Sequence, residues 1–160
     1  MPLNVVRRAF EPVIRRFLHV YWWASRGLTV GVRGLIFDGE GRIFLVKHSY
    51  VAGWHLPGGG VEAGETLRAA LARELREEGN IEIYGAPALF AVYFNHRIGR
   101  RDHVALYLVR SFRQHAPPQP NHEIVAHGFF APESLPEDTG RATRERIAEV
   151  LGGKAVAEFW

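Results

Sequence analysis

Gly59-Gly60-Val61-Glu62-Ala63-Gly64-Glu65 runs on through Thr66-Leu67 to Arg73-Glu74-Leu75-Arg76-Glu77-Glu78-Gly79-Asn80-Ile81. A glycine-rich turn here leads into a helix. Leu67, Ala70, Leu71, Glu74, Leu75 and Glu78 recur at the spacing of one buried stripe on a 3.6-residue helix. Two of those positions are glutamates, with Glu77 flanking them. Ionised carboxylates at the edge of a core are costly unless a cation meets them. Magnesium and similar hard cations take oxygen ligands and answer that need. A solvated helix laced by pairs with Arg68, Arg73 and Arg76 is the plainer alternative. The stripe position of Glu74 and Glu78 argues against it. So do Gly58, Gly59, Gly60 and Gly64, which permit close backbone approach in front of the helix.

This segment resembles the Nudix box, G-x5-E-x7-R-E-U-x-E-E-x-G-U with U aliphatic. Gly59, Glu65, Arg73, Glu74, Leu75, Glu77, Glu78 and Ile81 fill eight of the nine fixed positions. The ninth, normally glycine, is Asn80, the next most tolerant residue for a left-handed helix end. The resemblance implies an α/β fold, the Nudix αβα sandwich around a mixed β-sheet, over residues 28–151. It also implies hydrolysis of a nucleoside diphosphate linked to another group, with Mg2+ or Mn2+ as cofactor. By position, Glu74, Glu77 and Glu78 would be metal-binding carboxylates and the Gly59 carbonyl a further ligand. Glu74 is a candidate base, although acids outside the box also serve in this family. Glu65 and Arg73 read as an orienting ion pair at the helix start. Glu123 lies where related sequences place an additional metal-binding or base glutamate, and Asp102 is a weaker candidate.

Phosphates also need positive groups. Lys47, His48, Arg97, Arg100 and Arg101 fall at strand ends or in a loop, and Arg100-Arg101 suits a terminal phosphate. A solvated basic loop is the competing interpretation. Tyr50, Trp54, Tyr93 and Phe94 are candidates for stacking on a base, with Trp54 also suited to packing beneath the glycine turn. The histidines show no zinc-ligand spacing, so no zinc site is expected. The substrate is expected to be a nucleoside triphosphate or similar nucleotide. ADP-ribose, a sugar nucleotide, or a domain retained for ligand sensing or partner binding stays open. Pro87 falls too near the box, and Tyr93 somewhat too early, for two of the family's substrate signatures.

The whole chain fits one such domain. Its 160 residues are 47% hydrophobic and 23% charged, ordinary values for a globular protein. No cysteine is present, which excludes disulfides, thiolate zinc sites and thiol catalysis. The absence of a long apolar run and of a secretory-type leader leads to an expectation of cytoplasmic residence. The charge of +3 is uneven: residues 1–33 carry six arginines against Glu11, leaving the remainder near −2. An acidic remainder suits metal binding, and no stable nucleic-acid partner is expected.

Residues 1–27 read as an extra N-terminal basic amphipathic helix, interrupted by Pro12, and residues 152–160 as a tail. Val6, Phe10, Val13, Ile14, Phe17 and Tyr21 form the helix's apolar face. Packing on the domain or on a second subunit of a homodimer is preferred over a membrane surface. Strands are expected over Leu28–Phe37 and Arg42–Lys47, joined as a hairpin by Asp38-Gly39-Glu40-Gly41. Further strands are expected within Ile81–Phe94, with a break near Gly85 and Pro87, then over His103–Phe112 at the sheet centre and over Glu123–Phe130. A second helix is expected over Thr139–Leu151, with Ile147, Val150 and Leu151 facing inward.

Overall fold

The computed structural model describes residues 27–119 and 122–160, together with Arg16, Leu18 and Tyr21. The expected N-terminal helix lies outside the described residues apart from those three. Among the described residues from 27 onward, eight strands and two α-helices follow one another as β1 (Thr29–Ile36), β2 (Ile43–His48), β3 (Trp54–His55), α1 (Leu67–Gly79), β4 (Ile81–Ile83), β5 (Ala88–Phe94), β6 (Asp102–Val109), β7 (Phe112–Gln114), β8 (Ile124–Phe130) and α2 (Arg141–Gly152). A 3-10 turn, Pro132–Ser134, precedes α2.

The apolar run of β6 takes the middle place of a mixed sheet ordered β1-β6-β5. It pairs with β1 in parallel from Thr29↔Asp102 to Ile36↔Val109, and with β5 antiparallel. A second, antiparallel sheet is ordered β3-β2-β8, and β4 pairs with β7. Alternation along the strands sends side chains to two cores. Val32 and Ile36, Phe44 and Val46, and Ala105, Tyr107 and Val109 meet Ala70, Leu71 and Leu75 of α1. Leu35, Phe37, Ile43, Leu45 and Leu106 meet Ile147 of α2 on the other side. The result is the αβα arrangement expected from the sequence.

Two expectations need correction. The Asp38–Gly41 turn forms, with Asp38 N–H donating to Arg42 and Gly41 N–H to Asp38. It does not close a hairpin ladder, because β1 and β2 share only the Phe37↔Ile43 bridge and then join different sheets. Both strands are buried on two faces, and splaying apart lets each find its own neighbours. In α2, Leu151 is 48% exposed, whereas Arg146 (1%) and Glu149 (7%) are buried. The tail causes this: Phe94 N–H donates to Glu158 and Trp160 N–H to Phe94, so the chain end docks on β5 over α2. Arg146 then donates to the Phe159 carbonyl and pairs with Glu149 at 2.6 Å, while Tyr93 donates to Glu149.

Candidate active site

The helix α1 carries the site because both of its ends are well specified. Thr66 accepts the Ala69 N–H at 3.1 Å at the N-cap. Asn80 takes the left-handed conformation at the C-cap (φ 51°), and its N–H donates to Arg76. Ala70, Leu71, Leu75 and Glu78 are buried, with Leu67 and Glu74 at the margin, so the stripe read from the sequence is the packed face.

In front of α1, residues 57–61 lie along the edge of β1 that β6 leaves open. Gly34 N–H donates to Pro57, Val32 N–H to Gly59 and Val61 N–H to Val30. Gly58 has a φ of +136°, and a Cβ there would strike the Val32 carbonyl. A Cβ on Gly59 would strike the Glu74 carboxylate. These two glycines therefore let the turn close on both the strand and the helix.

Glu78 is 4% exposed and accepts the Gly58 N–H at 2.8 Å. Burial pushes its carboxyl up to about 7, opposed by the Gly58 N–H and Arg33 and reinforced by Glu74 and Glu123. Glu74 and Glu123 line the same 290 Å³ cavity with Gly59, Arg33, His48, Tyr50 and His55. The Tyr50 hydroxyl donates to Glu123 at 2.9 Å, and burial and that bond push the phenol up to about 12. His48 is 7% exposed, and burial, with Arg33 and His55, pulls its imidazole down, favouring the neutral form.

Arg73 organises the helix side. It donates to both oxygens of Glu65, to Glu74 at 2.6 Å and to the Gly60 carbonyl. The Arg73 guanidinium is also what holds Glu65 below the usual carboxylate range. Ion pair and glycine turn are thus tied to the same guanidinium, as the sequence led us to expect for Glu65 and Arg73.

Other sequence candidates fall elsewhere. Glu77 is 60% exposed and stands 3.5 Å from Arg73, outside the residues lining the cavity. The Gly59 carbonyl accepts the Val32 N–H, which leaves one lone pair for another partner. Lys47 pairs with Asp138 at 2.6 Å and does not line the cavity. Strand parity explains it: His48 shares a face with Phe44 and Val46, toward α1, and Lys47 points the other way. Arg100 and Arg101 are exposed in the turn before β6 and line neither the carboxylate cavity nor the larger one beside it. Asp102 accepts from Thr29 and Asn95 in that second, 630 Å³ cavity, which shares Arg33, Gly59 and Gly60 with the first. Tyr93 is fully buried and cannot stack on a ligand. Trp54 packs edge-on against Phe130, and the Phe94 ring is covered by His96, His103 and Phe159.

Sequence reasoning missed Arg33. It lines both cavities and donates to the Leu56 and Gly58 carbonyls, fixing the turn. A lone charge inside an otherwise apolar strand was the available signal.

A model of the NUDIX domain matches residues 27–151. The chain belongs to the Nudix family. It is similar to a putative 8-oxo-dGTP diphosphatase 2 of Mycobacterium tuberculosis, 70% identical over 30 residues. That stretch is 19% of this chain and spans only 21% of the relative's length. A MutT-like protein of Streptomyces ambofaciens is 26% identical over 125 residues, 78% of each chain. The crystal structure of a MutT NUDIX hydrolase from Burkholderia pseudomallei superposes with a TM-score of 0.65 at 29% identity. It covers 76% of this chain and 97% of that one. The matched region of this Nudix protein contains the glycine turn, α1 and Glu123, and no described helix is long and apolar enough to cross a membrane.

Proposed function

We propose that the protein hydrolyses a pyrophosphate bond in a nucleoside triphosphate or similar nucleotide, using Mg2+ or Mn2+. The observation that carries this is Glu78, a carboxylate buried at the cavity wall with Glu74 and Glu123 beside it. Three carboxylates around one small cavity repel one another, and a hard divalent cation satisfies them. The donor set therefore fits the metal that the family implies. Glu78, Glu123 and Glu74 would hold it, with the Gly59 carbonyl's second lone pair in reach and Glu77 on the solvent side. A bound divalent cation supplies positive charge to the diphosphate and acidifies a water.

The chain's own groups account for the rest. Arg73 fixes Oε1 of Glu74, and we assign the water's proton to Oε2. The Tyr50 hydroxyl orients Glu123. Arg33 stands where the two cavities meet, so its charge suits the phosphate chain crossing between them. The larger cavity, with Val30, Ile98 and Val104 on its wall and Asn95 and Asp102 offering polar atoms, suits a nucleoside. The similarity to a diphosphatase, a MutT-like protein and a MutT NUDIX hydrolase supports the same reaction class.

A product-resolved screen tests this. It covers nucleoside triphosphates (oxidised ones included), ADP-ribose, sugar nucleotides and dinucleoside polyphosphates, each with Mg2+, Mn2+ or EDTA. Metal-dependent release of a nucleotide from one class is expected. Negligible turnover of every compound by a folded, metal-binding protein would refute hydrolysis of this substrate class.

A further inference from the structure

We propose that His48 is itself a metal ligand, its imidazole joining Glu78 and Glu123 in a mixed nitrogen–oxygen site that favours Mn2+ over Mg2+. This rests on the carboxylate cavity being a metal site, and it adds a donor that the box motif does not contain. The donor atoms of His48, Glu78 and Glu123 all lie within 4.8 Å of one another. His48 Nε2 stands 3.5 Å from Glu78 Oε1. That is too long for a strong hydrogen bond. It is the spacing of two donors on one cation, since bond lengths of roughly 2.1 Å put adjacent donors roughly 3.0–3.5 Å apart.

Nδ1 of His48 is buried and has no hydrogen-bond partner among the described residues. Buried polar atoms are normally satisfied, so with Nε2 facing Glu78 this nitrogen calls for a bound water, and no hydrogen bond from Nδ1 to the described residues accounts for the imidazole. Nothing in the packing of β2 requires an imidazole here, as an aliphatic side chain would continue the Phe44 and Val46 face. A register shift against β8 falls at Lys47/His48, where His48 comes opposite Ile124, one residue from Glu123. Irregularities of this kind re-aim side chains at functional sites. The Tyr50 hydroxyl then holds the Glu123 carboxylate on the same side. An imidazole nitrogen in place of one oxygen moves a site along the divalent series, away from Mg2+.

Mn2+ itself is the probe. The full chain is loaded with Mn2+ and measured by electron spin-echo envelope modulation, unlabelled and with 15N-histidine, beside calorimetric titrations with Mn2+ and Mg2+. The expected result is nitrogen modulation that changes on labelling, disappears in His48→Gln and persists in His55→Gln. Mn2+ affinity should fall at least about 10-fold in His48→Gln, and Mg2+ affinity less. His48→Asn serves if the glutamine variant misfolds, and the labelled wild-type spectrum needs no variant. Mn2+ bound without histidine coupling, or coupling retained in a folded His48 variant, overturns the inference and leaves the metal site standing. No Mn2+ or Mg2+ binding by the folded wild type overturns both.

Discussion

Replacing Glu78 with Gln should make the metal-free protein more stable, by an amount that grows from about pH 5 to about pH 7. The carboxyl is 4% exposed, and its value rises from 4.5 to about 7, mainly through burial. A carboxyl raised in the fold holds its proton more tightly there than in the unfolded chain. Its contribution is therefore complete below pH 4.5 and drains away as the pH rises through 7. Above that, an ionised group is being held in a site that disfavours it. At 1.36 kcal/mol per unit, the shift amounts to about 3 kcal/mol at pH 8 and about 1 kcal/mol at pH 5. Gln keeps an oxygen for the Gly58 N–H and carries no charge. Urea unfolding of both proteins in EDTA, at pH 5, 6, 7 and 8, reads the difference directly. The variant should gain up to about 3 kcal/mol at pH 8 and much less at pH 5. Mg2+ at about 1,000 times its Kd should reverse the order, since it stabilises the wild type by about 4.1 kcal/mol and the variant, short of one ligand charge, by less. A pH-independent difference, or a variant less stable than wild type at pH 8 in EDTA, would refute the reasoning.

Gly59→Ala should lose on the order of 100-fold in kcat with nearly unchanged stability, because its Cβ displaces the Glu74 carboxylate and no positive φ is involved. Gly58→Ala should instead lower the melting temperature sharply, since its Cβ meets the Val32 carbonyl at a φ of +136°. Steady-state kinetics and thermal melts of the two variants should thus show opposite patterns. Arg146→Ala strands the buried Glu149, and denaturant unfolding should report a loss of about 3–5 kcal/mol. Glu77→Gln should weaken Mg2+ binding by calorimetry far less than Glu78→Gln, because its side chain is 60% exposed and paired with Arg73.

The parts of the fold legible in the sequence were those set by local period and local chemistry. The stripe of α1 followed from helical spacing, and its end at Asn80 followed from the left-handed cap. The central place of β6 followed from its unbroken apolar run. Sheet membership did not follow, because a turn such as Asp38–Gly41 fixes a reversal but not which neighbours the two strands take. Ile147 and Val150 of α2 face the core as expected, and Leu151 was misjudged for a similar reason. Leu151 looks like core until the tail buries Arg146 and Glu149 instead. That Glu74 and Glu78 face one cavity was legible because their helical spacing puts both on the packed stripe of α1. That Lys47 turns away from the cavity was readable from the parity of β2, whereas the place of His48 beside Glu123 also depends on the register shift against β8. Arg33 was hidden by counting it with the basic N-terminal residues when its place within β1 was the informative fact.

Turnover of the best substrate by Glu78→Gln in Mg2+, relative to wild type, tests the central claim most directly. A folded variant that has lost at least about 1000-fold in kcat is predicted, because it lacks one ligand charge of the metal site. Activity within a few-fold of wild type in that folded variant would contradict it.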